Sequence, residues 1–94
     1  MAPIYIAENA SARKTLETAV SDNLTVEANR PIVIVGRVSH FSVSFKKGEV
    51  TLSLFEEGDS KLTKLASFNS YYVAVEVIVE AFCLLMSNLG VDLG

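Results

Sequence analysis

The pattern of apolar and polar residues predicts strands most strongly between positions 32 and 54 of the chain. Ile32–Phe45 predicts a strand whose first half is apolar on both faces and whose second half is apolar on one, with Gly36 at a bulge or bend between them. Lys46–Glu49 contains the glycine of a hairpin turn, and Val50–Leu54 alternates again. This part of the chain therefore predicts two antiparallel strands.

Shorter segments on either side of this hairpin also have the composition of strands and turns. Glu56–Asp59 predicts a second turn. Lys61–Ser67 predicts a third strand at the edge of the sheet, where lysines discourage pairing with other chains. Pro3–Ile6 is a short extended opening, and Leu24–Ala28 predicts at most a brief fourth strand.

An N-terminal helix is predicted over Ala10–Ser21, because its apolar residues recur at helical spacing and share one face. Asn9 or Ser11 can cap the exposed backbone amides of its first turn. The residues on the apolar face are Ala12, Leu16, Ala19 and Val20.

A second helix is predicted over Tyr71–Leu89, although valines alternate in its first half as they would in a strand. The length of the run, the good helix formers in its second half and the single stripe of polar side chains all favour a helix. Asn69 or Ser70 can cap its start, and Gly90 suits the left-handed position that ends a helix.

These elements together predict one small α+β domain spanning residues 1–94. Its expected order is an N-terminal helix, an antiparallel meander of three strands, or four if the brief strand forms, and a long apolar C-terminal helix packed on the sheet.

Composition narrows the class of protein. The chain has 94 residues, half of them apolar, which is typical of one globular domain. The net charge of −3 argues against a general nucleic-acid binder, which would normally be basic. The single cysteine excludes an intrachain disulfide, and no signal-peptide pattern is visible, so we expect a reducing compartment: the cytoplasm, or the host cytoplasm for a virus or phage.

Candidate catalytic groups lack the partners that their chemistry requires, so we expect no enzymatic activity. His40 has serines for neighbours and no orienting carboxylate nearby, which indicates a solvent-facing histidine on an amphipathic strand. Cys83 lies among apolar residues, which raise the pKa of a thiol and favour a structural role.

No metal or cofactor site is predicted either. Glu76 and Glu80 lie one helical turn apart but have no further ligand near them, which indicates a solvated stripe on a mostly buried helix. The acidic turn Glu56–Asp59 lacks the spacing and the distal glutamate of a calcium loop. No glycine pattern of a phosphate-binding loop occurs.

The only basic–aromatic grouping in the sequence consists of Lys46 and Lys47, with Arg37 upstream and Phe41, Phe45 and Phe55 nearby. Such a group on a sheet face can bind single-stranded nucleic acid by stacking bases and neutralising phosphates. However, Phe41 and Phe45 share a strand face with Val43, which favours a core role for them.

The C-terminal helix is apolar around most of its circumference, more than one small sheet can cover. We therefore expect it to form a homodimer through the stripe Val75, Val79, Phe82 and Met86. Membrane insertion is not expected, because two ionised glutamates would lie inside the bilayer. The residues expected to face the sheet instead are Val73, Val77, Ile78, Ala81, Leu84 and Leu85.

In architecture, Ile32–Leu89 resembles the small transcriptional coactivator domains that bind single-stranded DNA and dimerise through a long helix. The acidic balance of the chain departs from that family. The order of helix, three-stranded meander and helix in an acidic chain is also similar to secretion-chaperone protomers, which are homodimers. Neither resemblance rests on a specific motif, so no functional residue is carried over.

Our functional hypothesis is therefore a non-enzymatic protein-binding module, such as an adaptor, a chaperone or a small inhibitor that binds a larger protein. The alternative is a single-stranded nucleic-acid-binding domain that uses Arg37, Lys46 and Lys47 with aromatic side chains.

Overall fold

Five strands form one mixed sheet in which the spatial order follows the order along the chain. The computed structural model describes residues 2–55 and 61–94. The elements within these residues are β1 (Ile4–Ala7), α1 (Ala12–Val26), β2 (Ile32–Val35), β3 (His40–Lys46), β4 (Glu49–Phe55), β5 (Leu62–Asn69) and α2 (Val75–Asn88).

The sheet is parallel at one edge and antiparallel elsewhere. Strand β1 pairs with β2 in parallel, and α1 makes the crossover between them. Strands β2 to β5 then form an antiparallel meander. The α+β class is confirmed, but the expectation of three or four antiparallel strands missed β1, which has only four residues. So short a strand carries little alternation, and its partner lies 28 positions further along the chain.

Both helices pack on the same face of the sheet and bury its apolar residues. The core rows run straight across the strands, because paired residues point to the same face. One row holds Ile4, Ile32, Val43, Leu52 and Ala66. Leu16 and Val20 from α1, with Phe82 and Met86 from α2, are fully buried against this face. Among the described residues, neither helix is long and apolar enough to cross a membrane.

The predicted strand Ile32–Phe45 is in fact a hairpin. Strands β2 and β3 are antiparallel, and the turn between them contains Gly36, whose N–H donates to the Ser39 carbonyl at 3.1 Å. The core-facing residues are even-numbered in β2, such as Ile34, and odd-numbered in β3, such as Phe41. A change from even-numbered to odd-numbered core-facing residues requires either a bulge within one strand or a reversal of the chain direction. The prediction of one bent strand assumed a bulge, whereas the chain reverses.

The first helix extends further than predicted, and the brief strand over Leu24–Ala28 does not form. Helix α1 continues to Val26 and ends at Glu27, which is left-handed with φ 49° and donates its N–H to the Asn23 carbonyl. The Asn23 side chain is buried: it donates to the Ala19 carbonyl at 3.0 Å and accepts from the Arg30 N–H at 2.7 Å. These hydrogen bonds satisfy backbone groups at the end of α1 that would otherwise be free, so the segment needs no partner strand.

The second helix starts later than predicted, because β5 continues through Asn69. The pair Val50–Phe68 belongs to the sheet, and Ser70 donates both its N–H and its hydroxyl to the Gly48 carbonyl. Helix α2 begins after Ala74, so Asn69 and Ser70 cap no helix. Strand pairing across the hairpin thus outcompetes a helical start that looked favourable locally.

Two predicted turns are confirmed and one cannot be placed. Lys47 and Gly48, with φ of 51° and 80°, form the two-residue turn of the β3–β4 hairpin. Gly90 follows α2 with φ 90°, as predicted for the end of that helix. The turn Glu56–Asp59 lies outside the described residues, whereas the next strand, β5, lies at the sheet edge as predicted.

The C-terminal tail is part of the core. Val91 and Leu93 are 1 % and 2 % exposed, and the Leu93 carbonyl accepts the Arg13 N–H in the first turn of α1 at 3.0 Å. Val91 fits against Gly36, where a Cβ would lie 2.4 Å from the Val91 Cγ2 atom. The β2–β3 turn and the tail therefore require a residue without a side chain at position 36.

We expect Gly36→Ala to lower the free energy of unfolding by about 1–3 kcal/mol, because the added methyl group overlaps Val91 and the Ser39 carbonyl. Chemical denaturation monitored by circular dichroism measures the change. Val38→Ala in the same turn is the control; Val38 is 84 % exposed, and its change should stay within about 0.5 kcal/mol. Equal stabilities of the two variants would contradict this account of the tail.

Candidate functional site

The sheet has an open face, the one opposite α1 and α2, over which no described residue packs. Its apolar side chains include Tyr5, Val35, Phe55 and Leu62, which are 68 %, 37 %, 38 % and 53 % exposed. Exposed apolar residues scattered singly are ordinary, but a contiguous group of them marks an association surface. We therefore take the open face as the candidate functional site.

The register places the apolar part of the open face at one end, in two neighbouring rows. Both rows cross all five strands, from β1 to β5. The first row is Ala7, Val35, His40, Phe55 and Leu62. The second row is Tyr5, Val33, Ser42, Ser53 and Lys64.

A shallow depression of ≈ 640 Å³ lies over these rows. Seven of the ten row residues line it: Tyr5, Val33, Val35, His40, Ser42, Phe55 and Leu62. Lys64, on the outermost strand, is the one side chain with a full charge in the rows. Depletion of charged residues at the centre is the usual composition of a protein interface.

His40 lies in the middle of the first row, between Val35 on β2 and Phe55 on β4. It was predicted to face solvent freely, but it is half-buried, and its Nδ1 atom is buried with no hydrogen-bond partner among the described residues. A buried polar atom without a partner costs about 1–3 kcal/mol and calls for an explanation.

The other end of the open face is polar and holds a small hydrogen-bonded network. Ser67 donates its hydroxyl to Glu49 Oε1 at 2.7 Å and lies 2.9 Å from the Thr51 hydroxyl. Lys64 Nζ is 3.8 Å from the same carboxylate oxygen. The Ser67 hydroxyl first, and then the Lys64 charge, hold the pKa of Glu49 below its usual value.

The remaining candidate groups for chemistry lie on the helix side and are engaged there. Glu80 forms an ion pair with Arg13 of α1, so it does not form a pair of free carboxylates with Glu76. Burial raises the pKa of the Cys83 thiol, as predicted from its apolar neighbours. Within residues 2–55 and 61–94, no three His, Cys, Asp or Glu side chains gather in a way that could hold a metal ion.

The stripe predicted to form the dimer interface faces the core of its own chain. Val79, Phe82 and Met86 are at most 1 % exposed, and Val75 packs at the margin of the core. The Phe82 ring stacks at an angle on Phe68 of β5, with 5.8 Å between centroids.

The orientation predicted for this helix is therefore wrong, although the prediction that it packs on the sheet is correct. Val77 and Leu84, expected to face the sheet, are 56 % and 60 % exposed on the outer side. Three of the residues expected to face the sheet do pack in or against the core: Ile78, which is fully buried, and Val73 and Leu85. The sequence showed that α2 has more apolar residues than one buried face needs, but it did not show which face of the helix packs on the sheet.

The orientation of α2 predicts opposite outcomes for two valines that are two residues apart. Val79→Asp buries an unpaired carboxylate and should unfold the protein or lower its free energy of unfolding by about 3 kcal/mol or more. Val77→Asp, with the same change on the outer side, should stay within about 0.5 kcal/mol. Thermal denaturation compares them; equal losses of stability would mean that α2 is rotated from the position described.

The basic residues of the nucleic-acid hypothesis do not form one patch. Arg37 lies in the β2–β3 turn, while Lys46 and Lys47 lie at the other end of β3. Seven residues of strand separate the two ends, a distance of roughly 20 Å at the usual rise. Phe41 is fully buried and Phe45 packs against the core, as their strand pattern predicted. The basic and aromatic side chains named in the nucleic-acid hypothesis therefore do not come together on one exposed surface.

The open face was missed by the sequence reading, although its signal was present. Val33 and Val35 made the first half of the predicted strand apolar on both faces, and this was interpreted as burial on both sides. In the structure β2 lies inside the sheet, between β1 and β3, but the helices cover only the face of Ile32 and Ile34. The signal in the sequence was a strand that is apolar on both faces, although the predicted elements offered only one layer of helices to cover it.

Comparisons of the chain with profiles of known protein families, with curated protein sequences and with solved structures find no match.

The network at the polar end makes a prediction about titration. Ser67→Ala removes the hydroxyl that donates to Glu49, so the pKa of Glu49 should rise towards its usual value, and Thr51→Ala should raise it less. Because the folded pKa lies below the unfolded one, the stabilising contribution of Glu49 is present above the unfolded pKa and is lost as pH falls through the folded pKa. Carboxyl NMR titration of both variants measures the pKa values; a smaller rise for Ser67→Ala than for Thr51→Ala would contradict the assignment.

Proposed function

We propose that this chain is a non-enzymatic protein-binding module, acting as an adaptor, a chaperone or a small inhibitor, and that it binds through the open face of its sheet. The observation that carries the proposal is the pair of nearly charge-free rows at one end of that face. Tyr5 and Leu62 at the two edges are more than half exposed, so the apolar surface extends across the whole sheet.

The free energy lost by leaving apolar side chains in water supports a binding role for this surface. Each apolar side chain left in water forgoes about 1.5–3 kcal/mol relative to full burial. A chain of 94 residues has a thin core, so it has little stability to spare for surface of this kind. A partner that covers Val35, Phe55 and Leu62 recovers that free energy on binding.

The positions of the reactive side chains support a non-enzymatic role. His40 has no described acid or nucleophile bonded to its Nδ1 atom. The thiol of Cys83 has a raised pKa, which disfavours the thiolate that a nucleophile requires. Glu80 is held by Arg13. With one cysteine and no disulfide, we propose a cytoplasmic location, or the host cytoplasm for a virus or phage.

Photo-crosslinking in the native host tests the binding surface. A benzophenone amino acid in place of Val33 should give a discrete adduct of higher mass, because this position lies in the second row of the open face. The same amino acid in place of Leu84, which is 60 % exposed on the outer side of α2, is the matched control and should give none.

Specificity is checked by adding Leu62→Lys, which places a charge in the first row and should abolish the adduct from position 33. The mass of the adduct distinguishes a second copy of the chain from a larger protein. Equal labelling from positions 33 and 84, or labelling that Leu62→Lys leaves unchanged, contradicts a binding role for the open face.

A further inference from the structure

We infer that this chain forms a homodimer through the outer edge of β1, where a second copy adds its own β1 in the antiparallel direction. The two-fold axis is perpendicular to the sheet and passes between the two Tyr5 residues, so the two sheets join into one. This inference does not rest on the proposed function, because the open face of each copy stays accessible. The dimer expected from the sequence is thereby placed at β1 and α1 instead of α2.

The backbone of β1 has unpaired hydrogen-bonding groups along its outer edge. The Ile4 N–H donates to the Pro31 carbonyl at 2.9 Å, and the register then directs the backbone groups of the even-numbered residues towards β2. Backbone groups alternate in direction along a strand, so those of Pro3, Tyr5 and Ala7 point outwards. The outer edge of β1 therefore offers donors and acceptors to another strand.

These outward groups are complementary to themselves when β1 is turned about an axis at Tyr5. Each Tyr5 then donates its N–H to the Tyr5 carbonyl of the other copy, and the Ala7 N–H donates to the Pro3 carbonyl of the other copy. The reverse bond from Pro3 cannot form, because proline has no N–H. The Ala7 carbonyl does not need that bond, since it already accepts the Asn9 side-chain amide at 3.1 Å. Each outward backbone group from residue 3 to residue 7 thus has a partner.

The other edge of the sheet is protected against pairing of this kind, whereas β1 is not. Strand β5 has a bulge at Leu65, which has no partner in the register with β4, and it carries Lys64. Bulges and lysines are two of the features that keep edge strands from pairing with other chains. Strand β1 has neither, because its register with β2 is continuous and its four residues are uncharged.

The same axis covers side chains of β1 on both faces of the sheet. On the helix side, the half-buried Ile4 comes to lie opposite Ile6 of the second copy, which extends the core across the axis. On the open face the two Tyr5 side chains lie opposite each other, and each of them is 68 % exposed in the single chain. Cross-strand pairs of apolar or aromatic side chains stabilise a sheet.

A groove beside β1 gives room for the helix of the second copy. It has a volume of ≈ 610 Å³ and is lined by Ile4 and by the flank of α1 that carries Lys14, Thr18 and Asp22. The opposite flank of α1 is turned towards α2, with which Arg13 forms its ion pair. Because α1 crosses over from β1 to β2, the two α1 axes lie two strand spacings apart, about 10 Å, which is a usual distance between packed helices.

The charges of the groove are complementary across the axis. The connections at the two ends of α1, residues 8–11 and 27–31, are similar in length, so the middle of α1 lies over the middle of β1. The two α1 helices run antiparallel, with Thr18 near the axis and Lys14 of one copy facing Asp22 of the other. Both charged residues are exposed, and neither has an ion-pair partner among the described residues. The remaining charge of the groove, on Arg30, lies away from the axis, where the Nε–H donates to the Ala2 carbonyl at 2.7 Å.

The contact is smaller than a standard interface, so we expect a weak dimer. Strand β1 contributes four residues, and α1 contributes one flank of a 15-residue helix. A standard interface buries about 800 Å² per partner, and smaller contacts are typical of transient complexes. We therefore expect a dissociation constant on the order of 10 μM.

Sedimentation velocity on the purified full chain, from about 5 to 500 μM, tests the dimer. We expect a concentration-dependent shift towards twice 10.2 kDa. Tyr5→Pro removes an N–H that points out of the edge strand, where proline is tolerated, and should raise the dissociation constant about 100-fold or more. Tyr5→Thr also loses the ring but keeps the N–H; as the matched control it should change the constant less than about fivefold. Circular dichroism checks that both variants are folded.

The pairing of the two α1 flanks is tested by charge reversal at exposed positions. Lys14→Glu and Asp22→Lys should each raise the dissociation constant about tenfold at low salt, because each brings like charges together at both symmetric contacts. An equal mixture of the two variants should dimerise about as well as the unmodified chain, since each copy supplies the charge that the other lacks. An effect confined to one chain would not be restored by mixing.

A chain that stays monomeric at about 500 μM would overturn the inference, whichever other molecule pairs with β1. A dimer that Tyr5→Pro and Tyr5→Thr weaken equally would overturn the backbone pairing. Charge-reversed variants that dimerise no better together than alone would overturn the stated axis, and this experiment decides alone if Tyr5→Pro does not fold. None of these results bears on crosslinking from position 33, which tests the proposed function separately.

Discussion

The packing of both helices on one side of a single five-stranded sheet is the constraint on which the rest of the molecule depends. It determines which residues of each strand are buried and directs Phe82 and Met86 of α2 into the core. The other apolar strand residues at one end of the sheet are left in two rows on the opposite face. A second layer would have made an ordinary sandwich core of Val33, Val35 and Phe55. Because the described residues form helices on one side only, the same residues become a surface that another molecule can cover.

The sequence was sufficient wherever local chemistry determines the structure. The hairpin at Lys47 and Gly48 and the end of α2 at Gly90 follow from turn residues. The burial of Phe41 follows from alternation along its strand, and the edge position of β5 follows from its lysines. These features need no knowledge of distant parts of the chain, which explains why they were predicted correctly.

The errors share a different cause, since each depends on partners that are distant in sequence. The parallel pairing of β1, the reversal at Gly36 and the continuation of β5 through Asn69 are fixed by neighbouring strands and by the tail. The rotation of α2 could not be read from its composition, because an all-round apolar helix has no preferred side. The candidate surface was missed for the same reason: Val33 and Val35 looked buried until the layer above them proved to be absent from the described chain.

The C-terminal tail has a consequence for the way the protein reaches this structure. Leu93 completes the core and holds the first turn of α1, so the last described residues close a contact with the first third of the chain. Such contacts of large sequence separation form late and slow the folding of small domains. Folding therefore cannot finish while residue 93 is still inside the ribosome, because until then the core between the helices and the sheet lacks the tail that closes it.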